Sequence, residues 1–443
     1  MEKLFKIKER GSTVRTEIMA GITTFFAMAY IIFVNPNYLA ATGMNFYAVM
    51  IATCLSAAVG CFVTAFLANV PFAQAPGMGL NAFFTYTLCG AMGYTWQQGL
   101  AIVFISGVLF LVITVSPLRG KIIDAIPAFL KSAISAGIGL FIAFIGLLNA
   151  DIVKLSGDLI IDDALVATDY SFLGDVTHGA TLLAIIGLLI TGVLIVRNVK
   201  GAIFIGIVIT TIIGIPFGLT NYTPMAFDFS VFGEVFMQMD FAGVLSHGVL
   251  PLVTAIISFT IVDMFDTVGT LLGTAENAGM LDENKNLPGG DKALIADAIA
   301  TIAGAAFGTS TVTTYVESST GIQEGGRTGL TTLTVGVLFL LAIVAAPVAG
   351  MVPSAATAPA LIIVGVYMMK GAMNIDWLDF ECAMPAFLTI AMMPFAYSIS
   401  DGIGFGFISY AVLKVCKGKA KEVPVLIYIL SALFLAKYIL TFL

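Results

Sequence analysis

Long apolar runs separated by short polar stretches dominate the chain. About 20 apolar residues carry a helix across a bilayer core. By that measure candidate spans fall at 18–39, 47–68, 78–93, 98–116, 127–149, 179–196, 201–218, 249–274, 292–307, 314–327, 328–350, 353–370, 383–398 and 402–416, and one more apolar stretch covers 424–442. Two of these, 78–93 and 314–327, are too short for a full crossing, and their leading flanks, VPFAQAPGMGLN and GTSTVTTYVESS, are polar or rich in proline and glycine. Backbone that is not helical is tolerated at membrane depth only where protein or a cavity covers it. The β-branched run Thr311-Val312-Thr313-Thr314 favours a short strand leading into a helix.

Each interrupted segment is the third of seven spans in its half of the chain. Seven is odd, so a repeated half must be inserted upside down. Paired broken segments at matching places of two inverted halves point to a binding site near the midplane. The expected fold is therefore an all-α polytopic membrane protein. It has about fourteen transmembrane segments in a 7+7 inverted repeat, with short strands in the third and tenth spans.

Composition sharpens this reading. Of 443 residues 59% are hydrophobic and 11% charged, whereas about a quarter of a soluble domain is charged. A soluble fold has no means of hiding that much apolar surface. Net charge is −7 with no basic run, so nucleic acid is not an expected partner and the lipid bilayer is. Lys3, Lys6, Lys8, Arg10 and Arg15 precede the first span, which places the N-terminus in the cytoplasm of a multi-pass cell-membrane protein. Counting forward, Arg119, Lys121, Lys131, Arg197, Lys200, Lys285, Lys292, Arg327, Lys370, Lys414, Lys417, Lys419 and Lys421 all fall inside, while the acidic outer loop 150–178 holds only Lys154. The 424–442 stretch is then an extra: an interfacial helix over 418–443 is the expectation, and a further span is the alternative. No cleavable leader is expected, because MEKLFKIKERGSTVR is basic and polar and the first long apolar segment begins near Ile18.

Little metal or cofactor chemistry is available. Cys54, Cys61, Cys89, Cys382 and Cys416 form no Cys-x-x-Cys pair and read as small interior hydrophobes. His178 and His247 fall at loop–helix junctions. No cofactor and no metal site is expected.

Ionisable residues within spans are costly and mark function by default. Asp263 and Asp266 lie in SFTIVDMFDTVGTLLGTAENAGM, Glu317 in TTYVESSTG, and Asp297 in the 292–307 span. Such a carboxylate can also simply cap a helix or pair with another buried group. That plainer role suits Asp297 and Glu324, which are placed to pair with Lys292 or Arg327. Asp266 and Thr270, four apart, share a helix face, with Asp263 beside it. Glu317 follows the extended run near a helix start, where free N–H groups and the helix dipole receive an anion or an acceptor atom. The matching place in the third span holds Met78 and Asn81. A carboxylate pair with an amide and free backbone groups suits a flat ligand bearing several N–H and C=O groups.

The stretches APGMGLNAFF, DMFDTVGTLLGTAENAG and TTYVESSTGIQEGGRTGL resemble the azaguanine-resistance-type purine (adenine, guanine, hypoxanthine) permeases of the nucleobase/ascorbate transporter superfamily, over nearly the whole chain. The resemblance implies a core domain from 1–120 (spans one to four) and 245–350 (spans eight to eleven), and a gate domain from 121–220 (spans five to seven) and 351–417 (spans twelve to fourteen). It implies that Asp266 and Glu317 are the substrate carboxylates, with Tyr315 and Val316 in the adjoining strand. Met78 falls where uracil permeases carry an aromatic residue facing the base, Asn81 belongs to this branch's own motif, and Thr24 and Phe25 of the first span line the same cavity. Thr270 falls where uracil permeases carry a histidine linked to proton coupling, so no histidine relay is available there.

The function implied is import of a purine nucleobase driven by protons, through an elevator-like movement of core against gate. Asp266 would be the main proton carrier, Glu317 more committed to the base, and Asp263 the next candidate. A homodimer is one option for assembly. A transporter of another small solute, such as a pyrimidine or an anion, stays open. An intramembrane enzyme would need a nucleophile–base pair or a metal cluster, and the spans hold no histidine. No P-loop motif is present, so an ion gradient is the default energy source.

Overall fold

The computed structural model describes residues 2–116, 125–156, 159–161, 164–167, 170–220, 228–282, 287–345 and 351–441. Arg119, Lys121 and Lys285 of the charge pattern lie outside the described residues, as does the expected 120/121 domain boundary. The described residues are mostly helical, and among them eight helical stretches are long and apolar enough to cross a membrane.

After a short α1 (Glu2–Phe5), the first span is broken into α2 (Val14–Met28) and α3 (Ile31–Ala40). Pro36 lies inside α3, where it removes the donor that would reach the Ile32 carbonyl and disfavours a straight helix on its N-terminal side. Next come α4 (Phe46–Val63), strand β1 (Gln74–Pro76), α5 (Met78–Ala82) with a wider π turn to Ala91, and α6 (Trp96–Val115). Helices α7 (Ala128–Asn149), α8 (Gly179–Val196) and α9 (Ala202–Gly214) complete the first half. The connection between α7 and α8, expected as an acidic outer loop, carries β2 (Val153–Ser156) and β5 (Tyr170–Leu173), and β3 (Leu159–Ile161) and β4 (Ala164–Ala167), each pair antiparallel.

The second half holds α10 (Val249–Asn277), α11 (Gly290–Phe307), β6 (Val312–Thr314), the six-residue α12 (Ser318–Gln323), α13 (Gly329–Ala342), α14 (Ser354–Met368), α15 (Phe380–Phe395) and α16 (Ile399–Cys416). Both interrupted segments thus contain the short strand expected of them. Val316 lies beyond β6, in the turn before α12, and not in the strand.

Packing sorts the helices into two groups. In the first, α11 packs on α4 and α6, and α13 packs on α2 and α4. In the second, α7 packs on α14 and α15, α8 on α9 and α14, and α15 on α16. Lipid gives helices no hydrophobic reason to associate, so close backbone approach and polar bonds do that work. The second group uses small residues: a methyl added at Gly139 of α7 would stand 2.8 Å from the Gly365 carbonyl of α14, and one at Gly146 would stand 2.9 Å from Leu361. The first group uses buried polar bonds. Asn35 donates to Thr53 at 2.7 Å and to Thr309 at 2.8 Å, joining α3, α4 and the lead into β6.

The GGRTGL stretch is part of this polar framework. Glu17 of α2, fully buried, accepts from the backbone N–H of Arg327 (3.0 Å) and Thr328 (3.2 Å) and from the Thr331 hydroxyl (2.6 Å), capping α13 from another helix. The Arg327 guanidinium closes α12 from the other end by donating to the Ile322 and Gly326 carbonyls. Arg327 is therefore not the partner of Glu324. That carboxylate pairs with Lys200, in the turn between α8 and α9, and so bridges the two helix groups.

The C-terminal helix α17 (Val425–Thr441) departs from the interfacial expectation. It runs back along α16: Phe434 and Tyr438 pack over Gly404, and Lys437 donates to Asp401 at 2.7 Å, in the first turn of α16. A helix lying in the plane of the interface would not reach that end of α16. At the opposite end Glu381 gathers Lys414 (2.8 Å), Lys417 and Lys419 (3.2 Å).

Glu17→Ala would strand two backbone donors and a hydroxyl in a buried site. A loss of about 2–4 kcal/mol is expected, read as a lower thermal unfolding temperature in detergent, with Glu17→Gln intermediate. An unchanged unfolding temperature would remove Glu17 from the framework.

Candidate functional site

The two interrupted segments meet. β1 and β6 pair antiparallel, with Gln74 opposite Thr314, Ala75 opposite Thr313 and Pro76 opposite Val312. Beyond the strands, Gly77 N–H donates to the Thr311 carbonyl at 2.9 Å and Tyr315 N–H to the Ala73 carbonyl at 3.0 Å. Ala73 N–H goes to the Ser318 hydroxyl at 3.0 Å. Every bond in this set serves backbone that leaves helical geometry at membrane depth. The approach is close, since a methyl added at Gly77 would stand 2.5 Å from Thr313 Cγ2.

From this crossing α5 and α12 leave in opposite directions, and the candidate residues sit on their first turns. Met78 opens α5 and is 6% exposed. Asn81, one turn on, is fully buried; its carbonyl oxygen accepts from the Ser310 hydroxyl, and its amide nitrogen has no partner. Glu317 precedes α12 and is held by Tyr30, whose hydroxyl donates to Oε1 at 2.7 Å. Its side chain does not cap α12. Asp266 of α10 lies within electrostatic range of the Glu317 carboxylate and close to the neutral Tyr315 phenol. Helix α10 is fastened to the strand beside Asp266, because the Thr267 and Thr313 hydroxyls lie 2.7 Å apart. Thr270, one turn beyond Asp266, is half-buried.

The structure thus brings Asp266, Glu317 and Tyr315 together. Val316 is about half exposed. Thr24 and Phe25 face other neighbours. Thr24 is fully buried and packs on the α12 backbone at Gly321. Phe25 makes edge contacts with Phe339 of α13 and with Phe26, at ring-centroid distances of 5.2 and 5.7 Å.

A second pair of carboxylates, Asp263 and Asp297, is tied to the strands. The Thr301 hydroxyl lies 3.0 Å from Asp263 Oδ2 and 2.9 Å from the Val312 carbonyl, with one proton to share between them. Asp297, far from the lysine pairing expected of it, is fully buried and accepts from Thr314 at 3.0 Å and Gln74 at 3.1 Å. One oxygen of each, Asp263 Oδ1 and Asp297 Oδ2, has no hydrogen-bond partner. Gln74, Tyr30 and the role of Asp297 escaped sequence reasoning. The only signal for Tyr30 was Pro36, six residues on, which marks the first span as a third broken segment.

The model of the permease family matches residues 15–405. The chain belongs to that family. Relatives include the adenine permease AdeQ of Escherichia coli, 40% identical over 99% of this chain and 96% of its own, and the guanine/hypoxanthine permease PbuO of Bacillus subtilis, 43% identical over 97% of this chain and 98% of its own. Among solved structures, the transmembrane domain of a cyanobacterial bicarbonate transporter, BicA, matches with a TM-score of 0.63 at 17% identity, over 89% of this chain and 97% of that one. That likeness concerns the fold. The motif resemblance to purine permeases of the nucleobase/ascorbate superfamily agrees with both the family and these relatives.

Gly77→Val would force a three-carbon side chain into the space of Thr313 at the crossing. Overpacking of this kind costs roughly 1–3 kcal/mol, so a lowered unfolding temperature is expected. A Gly77→Val protein as stable as wild type would show that the strands part without cost.

Proposed function

We propose that this permease imports purine nucleobases across the cytoplasmic membrane together with protons. The observation that carries the proposal is the meeting of Asp266 and Glu317 beside two paired half-strands, at the junction of two broken segments. Relatives named for adenine and for guanine/hypoxanthine, aligned over nearly their full lengths, support purines as the substrate class. A carboxylate accepts ring or exocyclic N–H groups, while an amide such as Asn81 offers both a donor and an acceptor.

The first helix group is the moving core, the second the gate. Fourteen spans in two inverted halves are supported by packing that exchanges the halves: α6 on α11 answers α13 on α4, and α7 on α15 answers α14 on α8. Both half-helices that carry the ligand groups belong to the core, so movement of the core carries the site with it. Glycine at the contact favours sliding, since a methyl at Gly79 of α5 would stand 2.5 Å from Ile138 of α7. The basic start of the chain places the N-terminus in the cytoplasm.

Proton coupling follows from charge. Among the described residues neither Asp266 nor Glu317 has a lysine or arginine partner. Each unpaired charge costs at least about 2.5 kcal/mol at the bilayer centre. A proton carried on Asp266 removes one of them as the core crosses, and so makes the proton a condition of movement. Competition of unlabelled purines, pyrimidines and anions against labelled hypoxanthine, with and without a proton ionophore, tests substrate class and coupling together.

Two variants separate the roles. Glu317→Gln replaces a charge-assisted bond with a neutral one and should weaken purine binding at least about tenfold, while Lys419→Ala leaves it unchanged. Wild-type affinity in Glu317→Gln would take Glu317 out of the site. Asp266→Asn should bind purine and exchange it across proteoliposomes, yet lose the stimulation of net uptake by an inward proton gradient. If it still accumulates purine under an imposed gradient, the coupling proton sits elsewhere.

A further inference from the structure

We propose that Tyr30 is the positioning residue of this site: its hydroxyl fixes Glu317 as an acceptor in a single orientation, so that the ligand must present an N–H to the carboxylate. The inference rests on the reading of Glu317 as the purine carboxylate and adds how that carboxylate is held.

Geometry makes the case. The Tyr30 hydroxyl lies 2.7 Å from Glu317 Oε1, within the range of charge-assisted O–H···O bonds. Among the described residues no other side chain donates to Glu317. A hydroxyl has one proton to give, and here it is aimed at the carboxylate. Tyr30 is itself held firmly. It is 1% exposed, and it occupies the break between α2 and α3. Its carbonyl accepts from Phe33 (3.1 Å) and Val34 (3.0 Å), starting α3. One turn on, Asn35 ties α3 to Thr309, at the lead into β6. Tyr30 and Glu317 are therefore both referenced to the tenth span, one through Asn35 and the other through the chain itself. The break in the first span is what turns the phenol toward the site.

The contrast with Asp266 gives the clamp its meaning. Among the described residues no side-chain hydrogen bond holds Asp266, and what reaches it is the charge of Glu317. Of the two carboxylates, one is fixed by a donor and the other is not. The fixed one is suited to read a ligand. The free one can gain and lose a proton without breaking a protein contact.

Binding of hypoxanthine, guanine and adenine to purified protein in nanodiscs, measured for wild type, Tyr30→Phe, Glu317→Gln and the double variant, tests this. Tyr30→Phe is expected to weaken binding about fivefold to twentyfold on its own, and by less than about twofold when Glu317→Gln is already present, because a residue that acts through Glu317 has nothing to act on once the carboxylate is gone. Equal losses in both backgrounds overturn the inference and leave the purine site standing. Wild-type binding by Glu317→Gln removes the purine-site reading and this inference with it. A spectroscopic arm does not depend on affinity. The carboxylate band of Glu317 in the infrared spectrum, identified by its loss in Glu317→Gln, should shift in Tyr30→Phe. Should that variant not fold, a fluorinated tyrosine at position 30 preserves the shape and moves the same band. A band that stays in place in folded protein overturns the clamp.

Discussion

Hydrocarbon offers no hydrogen-bond partner to a peptide group, so a helix that breaks at membrane depth must have its exposed N–H and C=O groups met by protein. Two breaks that meet can serve one another. That is the bargain between β1 and β6, extended at both ends by the Gly77–Thr311 and Tyr315–Ala73 bonds. Pro76, with no N–H to place, suits the end of the pair. Everything at the candidate site is set from this crossing: Met78 and Asn81 by the helix leaving one strand, Glu317 by the helix leaving the other, and Asp266 by a threonine contact from α10 onto β6. Neither break would be tolerable without the other.

The two helix groups solve the problem of association in lipid in different ways. The group around the crossing is bound by hydroxyls, amides and carboxylates: Asn35 to Thr53 and Thr309, Thr301 to Asp263 and Val312, Gln74 to Asp297, and Glu17 to the start of α13. Such bonds are directional and fix one arrangement. The other group relies on glycine and alanine letting backbones approach, as at Gly139 and Gly146. Between the groups, Gly79 against Ile138 and the Lys200–Glu324 ion pair are contacts of a looser kind, one a smooth surface and the other half exposed to water. Buried polar bonds cross between the groups as well, Ser258 to Ser400 at 3.3 Å and the Ile399 N–H to the Thr87 hydroxyl at 3.4 Å.

Much of this was legible in the sequence, and the reasons are physical. The two short spans announced themselves because a length of apolar residues is counted directly. The strand at 312–314 followed from a β-branched run, and the helix carrying Asp263 and Asp266 from an unbroken apolar register. What escaped depended on tertiary geometry. Nothing local says that Glu17 caps a helix more than 300 residues away, or that Asp297 turns toward Gln74 and not toward Lys292. An apolar stretch of 17 residues reads equally as a span or an interfacial helix, and only Lys437 reaching Asp401 decides that α17 lies along α16. Tyr30 was hidden for a further reason. Residues 25–34 on either side of the break are apolar, so it leaves no mark in hydropathy, and Pro36 sits a turn and a half away from the residue it turns.

A charge argument connects the two carboxylate pairs. Asp263 and Asp297 are tied to the strands, Asp266 and Glu317 belong to the candidate site, and the partners they find are hydroxyls, an amide and each other's fields. Hydroxyls and amides orient a carboxylate without neutralising it. In a static protein four such groups would simply be expensive. In a body that crosses the membrane, as proposed here, they set the condition for crossing, because uncompensated charge at the bilayer centre costs at least about 2.5 kcal/mol for each group. A purine is neutral and cannot supply the missing charge. On that reading compensation would arrive with the ligand as a separate cation, and accumulation of a neutral solute would be tied to an ion gradient. On the proposed reading the clamp on Glu317 and the openness of Asp266 would divide that work: the carboxylate fixed by Tyr30 would stay available to the base, and the one left unheld would be free to take up and release the charge that lets the core move.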